Sequence, residues 1–156
     1  RLEKYKGVQY LIMALPKLRN DTILKIVGKG PYRRSLVKLA RKLGVECRVK
    51  FYQDLSRNEL LQAYYDTDMF ALLSKREAYG ISVAEALASG TPCIVASTSA
   101  LTEWVDNENC FGISYPIEIG ELVDLICKVN KTKVKKAKLS DWDDVVQTLT
   151  ETYACL

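Results

Sequence analysis

Two glutamates, Glu77 and Glu85, lie eight positions apart on either side of Gly80, in a chain that contains no histidine. A carboxylate accepts hydrogen bonds from hydroxyl groups, so two that border one cleft would suit a ligand with hydroxyls at both ends. Glutamates near helix starts are also common because they favour the helix dipole, and the spacing alone does not establish a function. What the pair does depends on the elements that position it.

Short apolar segments alternate with segments of helical periodicity along the chain. Strands are predicted at 22–28, 47–53, 68–74, 91–97 and 110–116. Helices are predicted at 6–18, with an early end at Pro16, and at 31–43, 57–67, 81–89, 100–105, 118–129 and 139–156. Ser56 and Glu59 have the spacing of a capping box. The alternation predicts an α/β fold: a single Rossmann-like, doubly wound parallel sheet domain over 1–156 with a C-terminal helix.

Composition narrows the class of protein only slightly. The net charge of +4 is mild, and it does not indicate a nucleic-acid partner. The five cysteines lack a C-x-x-C pair, which favours reduced thiols of a cytosolic protein and no metal site. No apolar run reaches the roughly 18 residues of a membrane span. Because the chain begins at Arg1 within structured sequence, we expect it to be a piece of a longer protein.

Ligands of a doubly wound sheet bind at the carboxyl ends of its strands, where the loops and helix N-termini gather. Four loops follow the strands there: "GKGPY", "QDLS", "SKREAYG" and "STSA". The candidate binding residues Gly28, Gly30 and Asp54 belong to the first two of these loops. The glutamate pair belongs to the third.

The segment "REAYGISVAEA" is predicted to be a strand-exit loop followed by a helix. Gly80 permits an unusual backbone angle, and the free N–H groups of Ile81, Ser82 and Val83 would then favour an anion such as a diphosphate. Helical spacing predicts that one face of this helix turns toward the cleft and the other toward the sheet. The cleft face contains Ser82, Glu85, Ala86 and Ser89, and the sheet face contains Ala84, Leu87 and Ala88. Acceptors flanking an anion site suggest a sugar nucleotide.

Seven segments in register resemble the C-terminal donor-binding domain of retaining glycosyltransferases of family four, which have the GT-B architecture. They are "RLEKYKG", "LKIVGKGP", "VKFYQDLSRNELLQAYYDTDMFALLS", "EAYGISVAE", "ALASGTPCIVAS", "STSALTEWV" and "SDW". The third resembles V-x-F-x-G-x-V-x-x-x-E-L-x-x-x-Y-x-x-A-D-x-F, and the fourth the E-x7-E motif. The resemblance spans nearly the whole chain and implies the C-terminal half of a GT-B enzyme.

The resemblance assigns catalytic roles to Arg1, Lys6 and Glu77. The two cations would grip the donor diphosphate and stabilise the charge that develops as the glycosidic bond breaks, so no metal is required. Without the resemblance both would be ordinary surface cations. Glu77 would accept hydrogen bonds from hydroxyls of the transferred sugar.

The resemblance also assigns binding roles to residues around the nucleoside. Glu85 matches the ribose-binding glutamate of the family, and the backbone of Gly80–Ser82 would meet the phosphates or the sugar. The loop of Gln53 and Asp54 would border the base. Ser97–Ala100 departs from the glycine pair that is usual in the family, and side chains there would narrow the cleft beside the sugar.

The expected function is transfer of a hexose from a nucleoside-diphosphate sugar to a glycan or lipid-linked acceptor, with retention and without a cofactor. The acceptor would be held by an N-terminal domain absent from this chain, so the chain alone would bind the donor weakly and catalyse nothing. The alternatives are a non-catalytic nucleotide-binding module and a relative of the sugar-nucleotide epimerases or phosphorylases.

Two further segments have less specific patterns. "GKGPYRR" fails the dinucleotide-binding pattern G-x-G-x-x-G, because Arg33 replaces its third glycine and Pro31 intrudes. The lysine-rich segment 128–138 could contact the inner face of a membrane as a peripheral surface, since the family often uses lipid-linked acceptors. We favour a solvated linker for it.

Overall fold

The computed structural model describes residues 1–129 together with residues 146, 147 and 150. The five strands of this part are β1 Leu24–Val27, β2 Val49–Tyr52, β3 Phe70–Leu72, β4 Cys93–Ala96 and β5 Cys110–Ile113. The α-helices of 1–129 are α1 Val8–Ala14, α2 Arg33–Lys42, α3 Arg57–Tyr65, α4 Ile81–Ala88 and α5 Ile119–Val129. Short 3₁₀ helices cover Lys4–Lys6, Leu15–Lys17, Glu46–Arg48 and Ser99–Trp104.

The predicted α/β alternation is confirmed, and every described strand pair is parallel. The hydrogen bonding, however, is divided into a two-stranded sheet, β1–β2, and a three-stranded sheet, β3–β4–β5. Residues 2 to 5 join the carboxyl ends of the two sheets. Leu2 N–H donates to the Lys29 carbonyl beyond β1 at 2.9 Å, and Lys75 N–H beyond β3 donates to the Tyr5 carbonyl at 2.7 Å.

Helix α1 contributes to the core beneath both sheets. Ile12 and Leu15 pack with Ile26 of β1 and Leu36 of α2. Ala14, two residues along from Ile12, packs in the cluster that contains β4, β5 and α5. The two sheets therefore share one supporting helix, and the loops at their carboxyl ends are held in a common framework.

Local signals in the sequence mark most helix boundaries correctly. Pro16 follows the last residues of α1, as predicted. The capping box is confirmed, since Ser56 N–H donates to Glu59 Oε2 at 2.7 Å and Glu59 N–H donates to Ser56 Oγ at 3.3 Å. Helix α2 begins at Arg33 rather than Pro31, because a turn closed by Arg33 N–H and the Gly30 carbonyl comes first.

The predicted division of α4 into faces is wrong at Ala86 and Ala88. The buried residues of α4 are Val83, Ala86 and Leu87, whereas Ala88 is exposed. Positions i, i+3 and i+4 form one stripe of a helix, and that stripe starts at Val83. Glu85 lies on the exposed side of α4.

Two of the predicted structural thiols lie in the core. Cys93 and Cys110 are fully buried on neighbouring strands, and burial raises the pKa of Cys110 to about 12. Cys47 and Cys127 are exposed, and all four are free thiols. Cys155 and most of the predicted helix over 139–156 lie outside the described residues. Among the helices of the described part, none is long and apolar enough to cross a membrane.

Gly7 lies close against the Leu73 backbone just beyond β3, and this contact leads to a stability prediction. Its φ is 77°, and a Cβ there would lie 2.0 Å from the Leu73 carbonyl oxygen. We expect Gly7→Ala to lower the free energy of unfolding by about 2 to 3 kcal/mol, from clash and backbone strain together. Urea unfolding of the purified chain measures this.

The matched control is Gly120→Ala in α5, where a Cβ would meet nothing within 4 Å. That substitution should leave stability unchanged or raise it by up to about 1 kcal/mol. Equal stabilities of the two variants would contradict the close approach at Gly7.

Candidate functional site

Gly80 starts α4 in a conformation that few other residues would adopt. Its φ of 96° is left-handed, and a Cβ would lie 3.0 Å from Leu101 Cδ2 and 3.3 Å from Trp104 Nε1. Within the part of the chain that the structure describes, the backbone N–H groups of Ile81 and Ser82 have no acceptor. The start of α4 therefore has two free donors at the positive end of the helix dipole. The prediction of a third is wrong, because the Val83 N–H donates to the Gly80 carbonyl at 2.7 Å.

The 3₁₀ helix Ser99–Trp104 holds the loop that precedes α4. The Trp104 indole Nε1–H donates to the Tyr79 carbonyl at 2.7 Å, and the two rings meet edge to face with centroids 5.3 Å apart. Glu77 N–H donates to Ser99 Oγ at 2.9 Å. Ser99 has a φ of 48°, the left-handed angle that favours glycine, so the serine keeps the backbone shape and adds an acceptor.

Lys6 and Glu77, predicted separately as a phosphate ligand and a sugar ligand, contact each other. Lys6 Nζ donates to Glu77 Oε2 at 2.5 Å, and the two side chains are 20% and 19% exposed. The partial burial strengthens the ion pair relative to a surface pair. The contact brings a cation and a carboxylate to the loop directly before the α4 start.

Glu85 is the second predicted carboxylate, and it accepts a hydrogen bond from the Tyr64 hydroxyl at 3.1 Å. Burial, followed by the charge of Glu85, raises the pKa of Tyr64 well above its ordinary value. The Tyr64 ring also packs edge to face on Phe70. No local signal marks the bond to Glu85, because the two residues lie on different helices.

A second group of predicted residues lines an open cleft of about 590 Å³ at the end of β1. The cleft is lined by Arg1, Val27, Gly28, Lys29, Gly30, Pro31, Asp54, Leu55 and Leu60. Lys29 pairs with Asp54 at 2.8 Å, and this hydrogen bond and the Asp54 charge raise the pKa of Lys29. Lys29 was missed from sequence, since its partner is 25 residues away.

The glycines of this cleft differ in what they accommodate. A Cβ on Gly30 would lie 2.2 Å from the Leu2 carbonyl oxygen, so a glycine at this position is needed for the close approach of the Leu2 backbone. Gly28 has a φ of 132°, and a Cβ placed on it would have only the Arg1 backbone nitrogen within 4 Å, at 3.8 Å. The Arg1 guanidinium is largely exposed and pairs with Glu3 at 3.3 Å.

The predicted site residues thus form two groups joined by residues 1 to 6. One contains Lys6, Glu77 and Gly80–Ser82, and the other contains Arg1, Gly28, Gly30 and Asp54. Glu85 lies on the exposed side of α4, and its described side-chain partner is Tyr64. In the described ranges, no group of three or more cysteine, aspartate or glutamate side chains could hold a metal ion. The predicted site residues thus comprise cations, carboxylates and free backbone amides, divided between these two groups.

Comparison with known proteins shows the family to which this chain belongs. The family model described as glycosyl transferases group 1 matches residues 1–141, and the chain belongs to that family. A glycogen synthase of Mycobacterium tuberculosis is 30% identical over 98% of this chain and 40% of its own length. An uncharacterized glycosyltransferase of Methanocaldococcus jannaschii is 37% identical over 69% of this chain and 28% of its own. The chain thus spans less than half of these relatives.

Solved structures show the same fold. HepE from Anabaena, solved in complex with UDP and glucose, matches all of this chain and 47% of its own, with a TM-score of 0.81 and 27% identity. The C-terminal domain of a group 1 glycosyl transferase of Francisella tularensis covers 96% of this chain and 82% of that one, with a TM-score of 0.75 and 22% identity. The fold is that of a C-terminal GT-B domain, as the sequence predicted.

Because Trp104 donates a hydrogen bond to the Tyr79 carbonyl, we expect that removing the indole N–H would loosen the loop before α4. We expect Trp104→Phe to speed hydrogen exchange several-fold at the Glu77 amide, which is hydrogen-bonded to Ser99 Oγ within residues 76–82, because a lost hydrogen bond is worth about 1 kcal/mol. Exchange measured by mass spectrometry reports on this segment directly.

The control is Thr102→Ala, an exposed position on the same 3₁₀ helix. It should leave the exchange of residues 76–82 unchanged. Unchanged exchange in Trp104→Phe would show that the indole does not hold the loop.

Proposed function

We propose that this chain binds the nucleoside-diphosphate sugar donor of a retaining glycosyltransferase that transfers a hexose to a glycan or lipid-linked acceptor. The observation that carries the proposal is the start of α4, where two free backbone donors follow the loop that carries Glu77, the ion-pair partner of Lys6. Membership of the group 1 family and the UDP bound by the similar HepE structure support it.

The diphosphate would lie at the α4 start, between the two groups of residues. Ile81 and Ser82 N–H would donate to phosphate oxygens, and the Lys6 ammonium would turn from Glu77 toward them. Arg1 would contribute the second cation from the cleft at the end of β1. Since charge builds on the diphosphate as the glycosidic bond breaks, these donors would stabilise the transition state more than the ground state.

The hydroxyl groups of the donor would be held by the carboxylates. Glu77, once separated from Lys6, would accept from hydroxyls of the transferred sugar, and Glu85 would accept from those of the ribose. The cleft containing Gly28, Gly30 and Asp54 would border the base. The acceptor and any remaining catalytic group would come from a partner domain, so we expect the chain alone to bind the donor weakly and to transfer nothing.

The role of Lys6 predicts a phosphate-specific loss of affinity. We expect Lys6→Ala to weaken UDP binding about tenfold, because a charge-assisted hydrogen bond is worth roughly 1.5 to 3 kcal/mol, while uridine binding stays the same. Calorimetric titration with UDP and uridine at millimolar concentration compares the two ligands.

Lys4→Ala is the matched control, because Lys4 is exposed and lies on the same 3₁₀ helix. The substitution changes the net charge by the same amount as Lys6→Ala. It should change UDP affinity less than about twofold, as a screened surface charge does. If Lys4→Ala weakened UDP binding as much as Lys6→Ala, the effect of Lys6 would be one of general charge, and a specific contact with the phosphate would be contradicted.

Substitutions of the two glutamates should change the affinities for UDP and UDP-glucose in different ways. We expect Glu85→Gln to weaken UDP and UDP-glucose by the same factor, on the order of tenfold, because both ligands carry the ribose. Glu77→Gln should weaken UDP-glucose alone and should not reduce UDP affinity, since Lys6 is then released from its partner. The same titrations measure both, and equal losses on plain UDP would contradict the division.

A further inference from the structure

The carboxylate of Glu85 is exposed, and an exposed glutamate ordinarily samples several rotamers. Here the Tyr64 hydroxyl donates to its Oε2 at 3.1 Å. A carboxylate has two oxygens, so the bond to Oε2 leaves Oε1 able to accept from a ligand. The hydrogen bond therefore orders the side chain without using up its capacity to accept.

Tyr64 is itself held by burial, by a ring contact and by a hydrogen bond to its backbone. It is only 7% exposed, and its ring packs edge to face on Phe70 at the start of β3, with centroids 5.6 Å apart. Its carbonyl accepts from the Thr91 hydroxyl at 2.8 Å. Thr91 is 3% exposed, and its N–H donates to the Ala86 carbonyl of α4 at 2.9 Å. The phenol is thus fixed relative to α4, the helix that carries Glu85.

The phenol is also a dependable donor. Burial and the Glu85 charge raise the pKa of Tyr64, so the hydroxyl stays protonated at neutral pH and remains a donor there. A neutral donor next to an anion keeps the acceptor strength of the carboxylate, whereas a cation at this place would neutralise it. Such a donor suits a carboxylate that must accept from neutral hydroxyl groups.

We propose that Tyr64 is a positioning residue that fixes the Glu85 carboxylate, so that its free oxygen accepts from the vicinal hydroxyls of a ligand's pentose. The inference rests on the proposed function, because it requires a nucleotide at the α4 start. It adds that discrimination between ribose and its deoxy forms depends on a buried side chain of α3 that does not touch the ligand.

The test compares two probes, UDP and 2′,3′-dideoxyuridine diphosphate, by calorimetric titration. In the wild-type chain UDP should bind more tightly than the dideoxy form. We expect Tyr64→Phe to weaken UDP about three- to tenfold, the effect of one lost hydrogen bond, and to leave the dideoxy form unchanged. Tyr65→Phe is the matched control, since Tyr65 is the next residue, 66% exposed, and it should change neither affinity.

A purely structural bond between α3 and α4 gives a different result. In that case Tyr64→Phe would weaken both probes equally, which would overturn the inference while leaving the proposed function intact. If wild-type chain binds neither UDP nor another nucleoside diphosphate, the proposed function and the inference fall together.

A second variant keeps the inference testable if Tyr64→Phe does not fold. Glu85→Asp retains the charge but shortens the side chain by one methylene, so that it no longer reaches the Tyr64 hydroxyl. We expect it to lose the preference for UDP over the dideoxy form to the same extent. A retained preference in Glu85→Asp would overturn the role of the Tyr64 bond.

Discussion

The close approach of residues 2 to 7 to the ends of two separate sheets is the constraint on which the site depends. Leu2 is hydrogen-bonded beyond β1, Tyr5 is hydrogen-bonded beyond β3, and Gly7 contacts the Leu73 backbone. Only glycine fits at Gly7, because any Cβ would overlap a carbonyl. This segment brings Arg1 to one cleft and Lys6 to Glu77, although both cations are far in sequence from the groups they join.

The site also requires that the loop before α4, which carries Glu77, keep a fixed backbone conformation. Trp104 and Ser99 hold the backbone of residues 77–79 from one side, and Gly80 turns the chain into α4. The Lys6–Glu77 pair then satisfies both charges at a place that is only partly open to water. A diphosphate would compete for the lysine and release the carboxylate, so one ligand could engage both residues.

The sequence predicts those features that depend on residues close together along the chain. The positions of β1 to β5, the capping box at Ser56 and the glycine at the α4 start are all local patterns. The pairs Lys6–Glu77, Lys29–Asp54 and Tyr64–Glu85 join residues 71, 25 and 21 positions apart, and no local pattern marks them. The α4 face was assigned wrongly because an alanine-rich helix gives little contrast between its sides.

The central claim is that a nucleoside diphosphate binds at the start of α4. Titration of the isotopically labelled chain with UDP, followed by ¹H–¹⁵N correlation spectra, tests it without any substitution. If the diphosphate binds there, the largest shifts will fall on the amides of Ile81 and Ser82, with smaller ones at Gly28 and Gly30. Shifts that leave these amides unchanged and concentrate instead around the cleft lined by Val37 and Cys47 would contradict it.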